Sequence, residues 1–235
     1  MTNNNLTGKI LGVVHVGAWV AEVSTALAKE IMPEVTVLHI TDDTIQWAVN
    51  DAMAAKGIAQ EHIPPFNYLR VANYCRYLQD IGADAILFGC STMNRAAEYA
   101  QPLIDVPIIP VDRPMMDKAV QLGARIGLLA TLDTTVPSSL RQLRNAAARA
   151  GQEIEIVEIF SGEAFTALRA GDRARHDDLL VEAIRAHQNE VDVIAMAQIS
   201  MSLLETRVAA EGFGIPVLNS GREGLLAARA ALEQS

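Results

Sequence analysis

Short, unbroken apolar runs separated by helix-like stretches constrain this sequence more than any other feature. In the first half they are residues 9–15 (KILGVVH), 35–40 (VTVLHI), 83–89 (ADAILFG) and 106–111 (VPIIPV). In the second half they are residues 125–131 (RIGLLAT), 153–159 (EIEIVEI), 191–197 (VDVIAMA) and 215–219 (IPVLN). Runs of this length and continuity suit strands of a parallel sheet, which are apolar on both sides because helices cover both faces. Runs 35–40 and 153–159 alternate more, as edge strands do. Helical segments are expected over 20–32, 67–80, 138–150 and 177–190, with Gly82 and Gly151 as stops. The fold class predicted is α/β.

The rest of the composition excludes several classes. The chain has 235 residues, half of them hydrophobic but only 5% aromatic, so its core must be built from Ala, Leu, Ile and Val. It carries 19 Lys and Arg against 28 Asp and Glu, a formal net charge of −9. Proteins that coat nucleic acid or an anionic membrane need clustered excess cation, so neither partner is expected. No apolar run reaches the ~20 residues of a membrane span. Cys75 and Cys90 are too few for a disulfide scaffold, and no Cys/His cluster has zinc spacing. Residues 10–21 superficially resemble a secretory signal, but His15 and Glu22 interrupt the stretch and residues 125–131 nearly repeat it. The segment is read as a first core strand, in a cytoplasmic protein.

The two halves overlay. Asp84-Ala85-Ile86 matches Asp192-Val193-Ile194 at an offset of 108, and Val106-Pro107-Ile108 matches Ile215-Pro216-Val217 at 109. The first strands align at 116, Ile10 onto Ile126. A steady offset implies internal duplication. Two such halves would turn their strand C-termini toward a shared cleft, where parallel sheets bind ligands. The residues just after each strand therefore carry the functional argument.

After the third strand stands Gly89-Cys90-Ser91-Thr92-Met93-Asn94, then a helix. Free N–H groups at a helix start would lower a thiol pKa and could bind a carboxylate. The plain alternative is a small buried cysteine with Ser91 and Thr92 as caps. After the fifth strand, Thr131-Leu132-Asp133-Thr134-Thr135 offers hydroxyls for a second carboxylate-binding loop, or ordinary capping before Pro137. Cys75 shares helical spacing with Leu69, Ala72 and Leu78 and is read as core. Asp42 and Asp43 read as an acidic helix cap. Asp112, Asn219 and Ser220 follow strands and are expected near the cleft rim. His176 and His187 sit on a charged helix and are expected to be exposed; His39 and His62 receive no role.

The Gly89-Cys90-Ser91-Thr92 element, the loop Leu129-Ala130-Thr131-Leu132-Asp133-Thr134 and the two-half arrangement resemble the aspartate/glutamate/hydantoin racemase superfamily over nearly the whole chain. The resemblance implies two pseudo-symmetric, Rossmann-like parallel-sheet domains, an active site in the cleft between them, and no cofactor or metal. It implies that a last helix over 222–233 packs back on the first half, giving domains 1–112 plus 220–235 and 113–219. Members typically place one cysteine on each side of the substrate, since inverting a carbon acid needs a base on one face and an acid on the other. Cys90 matches the first. The second would fall at position 198, where this chain has Gln198, an amide that shuttles no proton near neutrality.

The resemblance therefore implies a cofactor-independent racemase or isomerase of a small carboxylate or related carbonyl compound, of amino-acid, hydantoin or maleate type. Cys90 would be the acid/base or nucleophile, and His15, at the end of the first strand, would be the second proton carrier. Gln198 would orient substrate, with Ser91, Thr92, Asn94, Thr131, Thr134, Thr135 and Ser200 binding its oxygens. One alternative is decarboxylation of a malonate-type acid with one-face protonation, as in the related arylmalonate decarboxylase, which uses a single cysteine from the other half. Another is thiolate addition to a double bond, as in maleate cis–trans isomerase. A third is a silent carboxylate-binding homologue. A homodimer is expected from the ordinary frequency of two-fold oligomers.

Overall fold

β1 (Ile10–His15) is buried along nearly its whole length, and it pairs in parallel with β2 (Thr36–Thr41) on one side and β3 (Ala85–Phe88) on the other. The computed structural model that shows this describes residues 6–45, 47 and 63–235. β4 (Ile108–Pro110) completes a four-stranded sheet of order β2-β1-β3-β4. The second sheet repeats the pattern with β5 (Arg125–Ala130), β6 (Glu155–Phe160), β7 (Val193–Met196) and β8 (Val217–Asn219), in the order β6-β5-β7-β8. All its pairs are parallel too. The two alternating runs, β2 and β6, do lie at sheet edges. His62, which received no role, lies outside the described residues.

Parallel neighbours require crossovers, and helices supply them. α1 (Ala18–Ile31), α2 (Pro65–Asp80) and α3 (Asn94–Ala100) serve the first sheet. α4 (Arg113–Leu122) leads into the second, followed by α5 (Val136–Ala150), α6 (Gly162–Arg169), α7 (Arg173–His187) and α8 (Glu205–Glu211). α5 stops at Gly151, whose φ of 63° favours a residue without a Cβ. α9 (Ser220–Leu232) closes the chain. Among the described residues no helix is long and apolar enough to cross a membrane.

Each sheet is covered on both faces. On one face of the first sheet Val14, Ile86 and Phe88 meet Val71, Cys75 and Leu78 of α2. On the other, Leu11, Val13 and Leu87 meet Val20, Val23 and Leu27 of α1 and Leu225, Ala228 and Leu232 of α9. The last helix thus follows a strand of the second sheet but fills the core of the first. Its approach is close: a Cβ at Gly224 would stand 2.9 Å from the Val111 carbonyl.

Cys75 is fully buried, as its helical spacing predicts. Leu69, counted on the same face, is 64% exposed, because the inward row of α2 runs through Asn67, Val71, Cys75 and Leu78. His176 corrects the sequence reading. It is buried with Leu180, Val181 and Ile184 on the inner face of α7, with Nδ1 2.7 Å from the Asp177 carboxylate.

Both sheets begin with the same device. The Asp84 carboxylate accepts Ile10 N–H at 2.8 Å and the Lys9 ammonium at 3.0 Å. Asp192 accepts Arg125 N–H at 2.8 Å and Ala124 N–H at 3.1 Å. This equivalence sets Ile10 on Arg125, so the first strands correspond at 115 rather than 116. The slip arose from matching isoleucines by identity; the register β1–β3 against β5–β7 pairs Leu11 with Ala85 and Ile126 with Val193.

Candidate active site

Beyond β3, Gly89 and Cys90 continue in extended backbone (Cys90 φ −134°, ψ 108°) before a 3-10 turn, Ser91–Met93, leads into α3. Beyond β7, Ala197 and Gln198 do the same (Gln198 φ −142°, ψ 135°) before a 3-10 turn over Ile199–Leu204. Cys90 and Gln198 thus hold equivalent strand-end positions with similar dihedrals. Both line one cavity of about 70 Å³, together with Ser91, Thr92, Leu132 and Thr135. The strand ends of β3, β5 and β7 therefore converge on one point, where the duplication places the cleft.

Cys90 is buried, and the sequence expectation of a lowered thiol pKa does not hold. Burial is the dominant cause, and the charge of Asp112 adds to it; together they push the thiol up to about 12. The N–H groups of Met93 and Thr92 pull the other way, as the helix-start argument requires, but they do not prevail.

Asp112 is expected near the cleft rim from its place after a strand, but its part in the site is not foreseen there. It stands directly before α4, yet its side chain makes no capping bond. The carboxylate turns inward and is fully buried. It accepts the Ser91 hydroxyl at 2.9 Å and the Asn94 amide at 2.8 Å, and Ser220 contributes as well. Burial outweighs these donors and raises Asp112 to about 7. Ser91 and Asn94, expected on substrate oxygens, are therefore turned toward Asp112. The available signal was the pair of donors at i and i+3 after one strand, with an acid after its neighbour.

Gln198 is fixed by its oxygen. Oε1 accepts Thr131 N–H at 2.6 Å and the Thr131 hydroxyl at 3.0 Å. With Oε1 doubly bonded, the amide N–H₂ is what Gln198 has to offer a ligand. Thr92 and Thr135 face each other from opposite halves, Oγ1 to Oγ1 3.4 Å. The Thr134 and Ser200 hydroxyls are buried without a partner.

His15 is fully buried and is not among the residues lining the cavity. Its ring lies behind Gly89, where an added Cβ would meet Nδ1 at 2.8 Å. Burial, and then the neighbouring His39, depress it to about 3, so it is a neutral imidazole at pH 7. Among the described residues no group of three or more His, Cys, Asp or Glu could hold a metal ion.

A sequence profile described as Asp/Glu/Hydantoin racemase matches residues 21–231. Comparison with curated proteins finds no match. Among solved structures, an aspartate racemase from Picrophilus torridus is similar at 18% identity and a TM-score of 0.70, over 95% of this chain and 94% of that one. An allantoin racemase from Klebsiella pneumoniae is similar at 16% identity and a TM-score of 0.73, over 97% and 89%. A glutamate racemase from Bacillus anthracis is similar at 17% identity and a TM-score of 0.65, over 97% and 83%. At these identities the structural likeness concerns the fold.

Proposed function

Because the chain belongs to the Asp/Glu/hydantoin racemase family, which supports a racemase function, we propose that it inverts or isomerises a small carboxylate or related carbonyl compound in the cleft. The reaction needs no cofactor and uses Cys90 as its proton-transferring group. The observation that carries this reading is the shared cavity, with a thiol on one strand end and a fixed amide on the equivalent one. The amide N–H₂ of Gln198 and the hydroxyls of Thr92 and Thr135 hold substrate oxygens. They supply hydrogen bonds where negative charge grows as the carbon acid loses its proton. A cavity of about 70 Å³ is far below the ~300 Å³ at which ligand pockets usually begin. The substrate is therefore small.

The raised thiol defines the direction in which Cys90 works most readily. It is protonated at neutral pH and acts first as an acid, delivering a proton to an enediolate or carbanion. Asp112, poised to take a proton near neutrality, removes the adjacent negative charge when it does so and makes the thiolate less costly.

One observation favours a second reading. Position 198 carries an amide that neither gives up nor takes a proton near neutrality, which suits one-face protonation after loss of carbon dioxide from a malonate-type acid. Incubation in deuterated buffer with amino acids, hydantoins, maleate and substituted malonates separates the two by NMR. Deuterium at the stereogenic carbon with inversion supports racemisation, and deuterated product with loss of carbon dioxide supports the second reading. No change in any compound overturns both.

A further inference from the structure

Each strand-end group is followed, four residues later, by a side chain tied to a crossing between the halves. On the first side that side chain is Asn94, four residues after Cys90, and its Nδ2 donates to Asp112 at 2.8 Å. On the second it is Ser202, four residues after Gln198, and its Oγ accepts Gly221 N–H at 3.1 Å. The strand registers make the two ties equivalent. Phe88 of β3 faces Pro110 of β4, and Met196 of β7 faces Asn219 of β8. Asp112 and Gly221 each stand two residues past the paired strand, where the chain passes from one half to the other.

The second tie depends on a glycine. Gly221 N–H is one of the first donors of α9, which have no carbonyl partner inside the helix. A Cβ at this position would collide with Ser202 Oγ and stand 3.0 Å from Ile199 Cγ1 and 3.1 Å from Leu27 Cδ1. Close approach of bare backbone is what brings the N–H onto the buried Ser202 hydroxyl. Ile199 connects this contact to the site. It directly follows Gln198, lines the cavity that Cys90 lines, and packs in the first core with Val20 and Leu27. The next residue, Arg222, pairs with Glu30 of α1 and Glu205 of α8, so the same turn of α9 grips both halves.

We propose that Ser202 and Gly221 are positioning residues for Gln198. They hold the 3-10 turn over Ile199–Leu204, as Asp112 and Asn94 hold the turn after Cys90. Gln198 then has two fixed points, Thr131 at its side-chain oxygen and Ser202 in the turn that follows it. Together they set where its N–H₂ points. The inference rests on the reading above, in which that N–H₂ binds a substrate oxygen.

The Thr131 N–H reports the placement of Gln198 without any substrate, since it donates to Oε1 at 2.6 Å. Ser202→Ala removes one oxygen from the tie. It is expected to speed hydrogen–deuterium exchange at Thr131 N–H about two- to tenfold, the ratio that one hydrogen bond is worth. KM is expected to rise by a similar factor with kcat nearly kept. Exchange at Gly89 N–H, bonded to the Val14 carbonyl in the first half, is expected to stay as in the wild type. Gly221→Ala, which pushes the turn as well as untying it, is expected to affect Thr131 more; Ser202→Ala carries the test alone where that variant does not fold. Unchanged exchange at Thr131 in Ser202→Ala overturns the proposal, and so does an equal rise at Gly89, which marks general loosening. If Thr131 responds as expected while the wild type turns over no compound, the functional reading fails and the tie stands.

Discussion

The two halves share a backbone plan and part company at one side chain. At the end of β3 the buried group is a thiol, held protonated by burial and by the neighbouring Asp112. At the end of β7 it is a carboxamide whose oxygen is doubly bonded and whose charge never changes. A duplicated scaffold can thus keep its geometry while dividing the labour: in the proposed reaction one side moves protons and the other orients. The same asymmetry extends behind the site, since the strand position equivalent to His15 is Ala130.

The largest effect should come from removing the proton-moving side. Cys90→Ala is expected to cost about 10²–10⁴ in turnover while leaving the melting temperature nearly unchanged. Retained activity would break the comparison outright. Next is Asp112→Asn. Asp112 has a folded pKa of about 7 against about 3.9 when unfolded, so the native state binds the extra proton between those values. Wild-type stability should therefore fall as pH rises from about 4 to about 7, by an amount on the order of a few kcal/mol. In the Asn variant that component should vanish, and iodoacetamide should alkylate Cys90 faster. Parallel urea-unfolding curves of the two proteins across pH 4.5–8 would remove Asp112 from the account.

Gln198→Ala tests the orienting side. It leaves the Thr131 N–H buried without its acceptor, a loss of about 1–3 kcal/mol, and should raise KM more than it lowers kcat. A pure kcat loss would mean that Gln198 takes part in the proton step. The smallest effect concerns the shared clamp. Asp84→Ala should destabilise by about 1 kcal/mol, through a lost strand-start hydrogen bond and a half-exposed ion pair. Asp192→Ala should lower the melting temperature less, since that carboxylate is more exposed. A larger effect at Asp192 would show the two clamps are not equivalent.

The strands were legible because two-sided burial writes a continuous apolar run, and the edges because β2 and β6 are half covered. Cys90 and Gln198 were legible because a strand end in a duplicated parallel sheet is a place, not merely a residue type. The place of Asp112 after a strand was legible, but its inward turn onto Ser91 and Asn94 was not, because an acid before a helix looks identical whether it caps the helix or turns inward. His176 was misjudged for a related reason: a helix crowded with charge can still bury one polar side chain on its inner row. His15 sits at the right strand end, but only the orientation of its ring decides whether it faces the cleft or stands behind Gly89.

The position of α9 carries a consequence for how the chain is made. All four strands of the first sheet exist once residue 110 has been synthesised. Yet Leu11, Val13 and Leu87 await Leu225, Ala228 and Leu232. A nascent chain therefore emerges with one greasy face of its first sheet uncovered until the last helix arrives. The half that carries Cys90 matures only when the other half has been completed.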